Sequence, residues 1–143
     1  MSDKETELKE KIRIALTSTA KVIADNFEIN NNISDNKKTK DLNHIEIDNL
    51  TNPGDFIRLR AEADSFALKK KFSNDEIYRK NLPPNTSSRS LYNIAEKIRY
   101  EMLGGKMLKG IEKNFNENYT QLINHKRKGQ LKTKEDVPVT EAF

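Results

Sequence analysis

The chain has no cysteine and no tryptophan, and only 2 histidines, 5 glycines and 4 prolines among its 143 residues. The absence of cysteine excludes disulfide bonds and thiolate metal sites. No apolar run approaches the roughly 20 residues that a membrane-spanning helix needs. Residues 1–5 are polar and of mixed charge, unlike the start of a secretory signal peptide. We therefore expect a cytoplasmic protein with no membrane segment.

Apolar residues are also scarce. They make up 34% of the chain, and charged residues another 34%. Average domains are roughly 25% charged and 45–50% apolar on a count that includes glycine, and the 5 glycines here barely raise the apolar share. This balance predicts a small core, solvated helical faces and some disordered sequence. Residues 80–143 carry 12 basic and 7 acidic side chains, against 14 and 15 in residues 1–79. The basic second half keeps open an alternative function, a small helical nucleic-acid-binding protein.

Apolar residues recur at helical spacing in several parts of the chain. The pattern predicts helices over residues 3–25, 53–71, 87–103 and 106–123. Asn52 or Thr51 can cap the second helix, and residues 86–88 offer caps for the third. Gly104-Gly105 is expected to end the third helix in a left-handed cap. Residues 77–78 fit a short extended piece.

Two short stretches depart from the helical pattern. Residues 27–29 and 45–47 alternate apolar and polar side chains, which is typical of half-buried strands and predicts a small β-hairpin. After Leu122 the periodicity fails, and residues 125–143 are expected to form a linker or truncated, disordered tail. We therefore predict a mainly α fold, with one small domain of four or so helices over residues 1–124.

The residues offer little for catalysis. His44 and His125 both lie in polar, linker-like sequence, and nothing in their spacing requires a metal site. The stretch Gly104-Gly105-Lys106 is not a GxxxxGK[ST] loop after a strand, so no Walker-type ATP site is expected. We expect no catalytic residue, no resident metal and no cofactor in this chain.

Charged residues on or beside the apolar stripes are the candidate site residues. They are Arg60, Asp64, Arg89, Arg99 and Glu101. Arg60 and Asp64 are four residues apart and can pair on one helix face. Because buried charge is tolerated only when it is paired, these residues either hold helices in register or contact a partner.

Five segments follow one another in an order and spacing that resemble a known family. They are residues 60–68 (RAEADSFAL), 78–84 (YRKNLPP), 88–92 (SRSLY), 96–104 (EKIRYEMLG) and 109–114 (KGIEKN). They are similar to the R-x-x-x-D-x-x-A-L, N-L-x-P, A-R-x-[IL]-Y-x-x-x-E-x-x-R-x-E-x-x-G and G-[VI]-x-x-N stretches of the CobT family of cobaltochelatase subunits. The resemblance covers most of residues 8–123.

This resemblance implies a part in aerobic cobalamin synthesis. A CobT-type subunit and an AAA+ ATPase subunit there power a large chelatase subunit, which inserts cobalt(II) into hydrogenobyrinic acid a,c-diamide at the expense of ATP. The implied partners are those two subunits in an oligomeric assembly, without membrane or nucleic acid. ATP and cobalt(II) are used by the complex rather than by this chain.

The resemblance also implies what this sequence lacks. Family members continue through an acidic linker to a carboxyl-terminal integrin-type domain, whose D-x-S-x-S motif binds a divalent metal. We therefore expect an amino-terminal fragment or the product of a truncated gene, with no chelatase activity alone. Apolar surface near Arg60, Asp64, Arg89 and Arg99 is expected to contact the ATPase ring or sister subunits.

Overall fold

A computed structural model describes residues 3–25, 50 and 52–127, and the chain divides into two units, Met1–Lys71 and Phe72–Phe143. The described residues form helices α1 (Asp3–Ala24), α2 (Pro53–Phe72), α3 (Asp75–Lys80), α4 (Thr86–Met107) and α5 (Lys109–Arg127), without a strand. The predicted mainly α class is confirmed. The predicted hairpin and residues 128–143 of the predicted tail lie outside the described residues. The single domain over residues 1–124 stays a prediction.

In the first unit, α2 begins at a reciprocal cap. The Asp55 N–H donates to Asn52 Oδ1, and the Asn52 N–H donates to Asp55 Oδ2, both at 3.1 Å. Pro53 occupies the first helical position, where its missing N–H costs no hydrogen bond. Lysines 69–71 lie in the last turn, beside the negative helix end. These local signals explain why the boundaries of α2 follow the predicted ones closely.

Burial on α2 is broader than a single apolar stripe. The buried residues are Leu59, Ala61, Ala63, Asp64, Ser65, Ala67 and Leu68. At 100° per residue they spread round much of the helix circumference. Leu59 and Leu68 are 0% exposed, whereas Phe56 is exposed. Small alanine and serine side chains allow close packing on several sides of α2.

The buried residues of α1 lie in its carboxyl-terminal half. Thr17, Ala20, Ile23 and Ala24 are buried, while Leu8 and Val22 are largely exposed. The Thr17 hydroxyl satisfies its hydrogen bond within the helix, on the carbonyl of Arg13 at 2.8 Å. A buried hydroxyl with such a partner is compatible with an otherwise apolar surface.

The ends of α1 and α2 are joined by an ion pair. Asp25 follows α1 with a φ of 52°, the left-handed conformation common after helices. Its Oδ2 lies 2.5 Å from the Nζ of Lys71. The pair links the residue that follows α1 to the last turn of α2.

The second unit starts with α3, which the sequence pattern missed. The Asn74 side chain accepts hydrogen bonds from the N–H groups of Glu76 and Ile77. Residues 77–78 are therefore helical, and the predicted extended piece is wrong. Tyr78 holds α3 on α4, since its ring centroid lies 5.4 Å from that of Tyr92 and its hydroxyl donates to Asn93 Oδ1.

The third predicted helix starts earlier and ends later than expected. Asn85 caps α4 by accepting the Ser88 N–H at 2.7 Å, so the caps predicted at residues 86–88 lie inside the helix. The helix also runs through Gly104-Gly105 to Met107, and no glycine in the described residues has a positive φ. The predicted left-handed glycine cap is wrong.

The two glycines serve the packing of α4 against α5 instead. Gly104 is buried. A Cβ added to Gly105 would lie 3.4 Å from the Cβ of Glu112 on α5. The missing side chains therefore let the two backbones approach closely.

Two glycine substitutions should separate packing from helix propensity. Gly110→Ala should raise the free energy of unfolding by about 0.5–1 kcal/mol, because alanine favours helix and nothing lies within 4 Å of the new Cβ. Gly105→Ala should gain clearly less, because its Cβ meets Glu112. Urea unfolding of the two variants measures the difference. Equal gains would mean that α4 and α5 are not in close contact at Gly105.

Leu108 alone separates α4 from α5. Its carbonyl accepts the N–H groups of Ile111 at 3.0 Å and Glu112 at 3.3 Å, and its own N–H donates to Gly104 O at 2.9 Å. Its φ of −136° and ψ of 113° are extended. Leu108 therefore occupies the N-cap position of α5, where Ser, Thr, Asp and Asn are strongly preferred over Leu.

Leu108→Asp should stabilise the fold by about 0.5–1 kcal/mol, because an aspartate can accept an N–H of the first turn and oppose the positive helix end. Leu108→Ala, which offers no acceptor, is the matched control and should not gain. Thermal unfolding at neutral pH measures both. A loss of stability in both variants would contradict the prediction and show that the leucine side chain contributes packing here.

Candidate functional site

In the first unit, Arg60 and Asp64 line one cavity. The cavity has a volume of about 330 Å³, and α1 contributes five lining residues: Lys11, Ile12, Ala15, Leu16 and Thr19. Asp64 is 4% exposed and takes part in polar interactions, as a buried carboxylate must. Arg60 is exposed. The structure thus brings both residues to one place, and their mutual pairing stays a prediction.

In the second unit, Arg99 joins α4 to the turn that follows α2. Its Nε and Nη2 donate to the two carboxylate oxygens of Glu96, at 2.7 and 2.8 Å. Its Nη2 also donates to the carbonyl of Phe72 at 2.7 Å. Ser73 Oγ donates to the same carboxylate at 2.7 Å. The hydrogen bond from Arg99 to Glu96 raises the pKa of Arg99, and the group acts as a structural clamp.

Replacing Arg99 by lysine should lower the free energy of unfolding by about 0.5–1 kcal/mol, because an ammonium cannot reproduce the planar fork that spans Glu96 and Phe72. Lys106→Arg, at an exposed position on the same helix and with its charge kept, is the control and should change little. Urea unfolding at two salt concentrations measures the loss. If the lysine variant matched the parent chain, only charge and not geometry would matter at this position.

Arg89 has a similar local role. Its Nε donates to the carbonyl of Pro83 at 2.7 Å. The bond links the first turn of α4 to the Pro83-Pro84 segment before it. The guanidinium is exposed, so its free donors remain available to solvent or a partner.

Glu101 is a buried carboxylate between α4 and α5. It is 6% exposed, and its Oε2 accepts the hydroxyl of Tyr119 at 2.6 Å. Lys97 Nζ lies 3.7 Å from its Oε1 and 5.9 Å from the centroid of the Tyr119 ring. Burial, and then the bond to Glu101, raise the pKa of Tyr119. The phenol therefore stays protonated and can donate to the carboxylate at neutral pH.

This pair lies beside a groove of about 360 Å³ between α4 and α5. Its lining is mostly apolar, with Ile98, Met102 and Phe115 among its walls. The sequence pattern marked Glu101 as a candidate residue but did not indicate Tyr119 as its partner. The four-residue spacing of Lys97 and Glu101 indicates an ion pair along α4. It does not indicate that Glu101 contacts a residue of α5.

Arg89, Arg99 and Glu101 therefore have structural partners in neighbouring elements. Within residues 3–25 and 52–127, no group of three or more His, Asp or Glu side chains could hold a metal ion. None of the helices described is long and apolar enough to cross a membrane.

The geometry defines a class of protein, a helical module in which charged side chains hold helices together. A comparison with protein families then identifies the family to which this chain belongs. The family described as "Cobalamin biosynthesis protein CobT" matches residues 6–143, and the chain belongs to that family, as its sequence segments indicated. No curated protein and no solved structure matches it significantly.

Proposed function

We propose that this chain is an assembly module of a CobT-type cobaltochelatase subunit. It supports the ATP-dependent insertion of cobalt(II) into hydrogenobyrinic acid a,c-diamide by binding an AAA+ ATPase subunit. In this function ATP is hydrolysed by the partner, and cobalt(II) is the substrate of the large chelatase subunit. The work is done in the cytoplasm, within an oligomeric complex.

The observation that carries this proposal is the family match, which extends over residues 6–143. Membership of the family supports a role in cobalamin biosynthesis. The helical structure is consistent with binding rather than chemistry, because the buried Glu101 accepts the Tyr119 hydroxyl and Arg99 is held by a backbone carbonyl. Exposed apolar side chains on α4 and α5 supply surface for a partner.

The test is a binding experiment with the full chain. The tagged protein is mixed with the purified AAA+ ATPase subunit and a non-hydrolysable ATP analogue, then passed over a size-exclusion column. We expect co-elution that survives moderate salt, because apolar docking is weakly screened. An unrelated AAA+ ATPase at the same concentration is the control and should elute separately.

A second measurement concerns cobalt insertion. The chain alone should produce no cobalt corrinoid from hydrogenobyrinic acid a,c-diamide, cobalt(II) and ATP. Unaided turnover would contradict the proposal. So would binding to duplex DNA that weakens steeply with salt, combined with no binding to the ATPase subunit, because this result would favour the nucleic-acid alternative.

A further inference from the structure

The groove between α4 and α5 carries opposite charges on its two walls. Lys106 on α4 and Glu112 on α5 both line it, and both are exposed. A Cβ added to Gly105, the residue before Lys106, would lie 3.4 Å from the Cβ of Glu112, so the two charges lie near the same end of the groove. No ion pair among the described residues includes Lys106 or Glu112. Neither charge is thus compensated by that part of the chain.

Apolar side chains extend along the rest of this groove. Met102 and Phe115 both line it, and Met102 is 58% exposed. Leu122 and Ile123 follow Tyr119 at helical spacing and continue the α5 wall beyond the groove. They are 43% and 49% exposed. Single exposed apolar residues are normal on protein surfaces, whereas a contiguous group usually marks an interaction site.

The buried carboxylate in the groove does not oppose a second apolar surface. Glu101 Oε2 accepts the Tyr119 hydroxyl at 2.6 Å, and its Oε1 lies 3.7 Å from Lys97 Nζ. Both oxygens therefore have partners within the chain. Covering a polar group is costly chiefly when its hydrogen bonds to water are lost without replacement. A second molecule can therefore cover this part of the groove without leaving an unsatisfied acceptor.

We propose that the occupant of this groove is the same groove of a second copy of the chain. The two α4–α5 pairs lie side by side, with their Leu108 turns at the same end, about a two-fold axis parallel to the helices. Such an axis places α4 of one protomer against the antiparallel α5 of its partner, as in a four-helix bundle. Lys106 then faces the partner's Glu112, and Glu112 faces the partner's Lys106. This inference goes beyond the proposed function and does not depend on it.

The charge pattern of the groove favours this occupant over others. An acidic partner would be repelled by Glu101 and Glu112, and a basic partner by Lys106. Nucleic acid would bring phosphates against the same two carboxylates. A second copy brings one cation and one anion, and the two-fold axis places each opposite its counter-charge. Like charges brought together in an interface suppress association, whereas complementary charges fix its register.

The experiment measures self-association of the full chain by sedimentation equilibrium over a range of concentrations. The parent chain should form a dimer. Lys106→Glu and Glu112→Lys each place two pairs of like charges in that dimer, so each alone should weaken self-association about tenfold at low salt and less at moderate salt. An equimolar mixture of the two variants should recover the parental affinity, because a heterodimer restores both ion pairs with their charges exchanged.

A further variant tests the apolar part of the groove. Met102→Gln removes an exposed apolar side chain without adding charge, and the two-fold axis applies the change twice. Self-association should therefore weaken about tenfold, as loss of a central contact does. Ile77→Gln is the matched control, because Ile77 is a 60% exposed apolar residue on α3, outside the groove. It should associate like the parent chain. Thermal unfolding of each variant confirms that it is folded.

Several outcomes overturn the inference. A parent chain that stays monomeric up to its solubility limit has no such dimer, and this result leaves binding to the ATPase subunit untouched. A dimer that every groove variant leaves unchanged uses another surface. Weakening by both single charge variants without recovery in their mixture contradicts the two-fold arrangement. A monomeric parent chain whose binding to the ATPase subunit is lost in Met102→Gln would assign the groove to that subunit instead.

Discussion

Leu68→Ala is expected to lower the free energy of unfolding by about 2–5 kcal/mol, which can be most of the stability of a domain this small. Leu68 is 0% exposed on α2, a helix buried on several sides. Truncation removes apolar contact and leaves a cavity that the surrounding backbone cannot fully close. Urea unfolding followed by far-ultraviolet circular dichroism gives the free energy directly.

The control for this experiment is Ile77→Ala. Ile77 is largely exposed on α3, so the same kind of truncation should cost less than about 0.5 kcal/mol there. Equal losses of stability in the two variants would contradict the burial of Leu68 on α2. The core of the first unit would then have to be built on other residues.

Tyr119→Phe should cost about 1–3 kcal/mol at neutral pH, because Glu101 loses a hydrogen bond in a buried setting. The effect comes with a pH signature. The pKa of Tyr119 is raised in the folded chain, whereas it is about 10 in unfolded chains. Its contribution to stability is therefore complete below pH about 10 and is lost as the pH rises through the higher folded value.

The measurable quantity is the difference in unfolding free energy between the parent chain and Tyr119→Phe. It should be constant from about pH 7 to 9 and shrink above about pH 10, where only the unfolded parent chain ionises this phenol. A constant difference up to the highest pH at which the fold survives would contradict the assignment of Tyr119 as a protonated, buried donor.

Glu101→Gln separates the two causes of the raised pKa. The glutamine keeps an acceptor oxygen but removes the negative charge. Burial is the larger cause, so the shrinkage above about pH 10 should persist in this background but be smaller. Complete loss of the pH effect would mean that the charge of Glu101, rather than burial, dominates.

Much of the helical layout follows from local sequence. α1 and α2 were predicted within a residue of their bounds, because their apolar spacing and the Asn52-Pro53 start are properties of contiguous residues. The helix α3 was missed because six residues show less than two turns of periodicity. Its Asn74 cap and the contact of Tyr78 with α4 stabilise it, and the second of these is a tertiary contact.

The wrong prediction of a helix end at Gly104-Gly105 has a different cause, which is a contact between two helices. Gly104-Gly105 is a strong signal for a helix end when it is considered alone. In the structure, α5 packs against α4 at these glycines. The missing side chains allow the two helix backbones to approach closely there. Neighbouring residues in the sequence could not indicate that contact, because Glu112 reaches Gly105 only after the chain has reversed at Leu108.

For the candidate site residues, positions near buried faces were predictable from sequence, but interaction partners were not. Their presence on or near buried faces was predictable from spacing, and Asp64 and Glu101 are buried. Their partners were not predictable, since Arg99 reaches a carbonyl 27 residues away and Glu101 a hydroxyl 18 residues away. Such pairs depend on how helices are placed, which periodicity alone does not determine.

The division of the chain at Lys71 and Phe72 also separates its chromophores. All 4 tyrosines, at positions 78, 92, 100 and 119, fall in the second unit, and the chain has no tryptophan. The absorbance of tyrosine therefore reports the melting of that unit alone, whereas circular dichroism of the peptide bond reports both. Coincident midpoints from the two signals would indicate that both units unfold in a single cooperative transition, and separate midpoints would assign an individual stability to each.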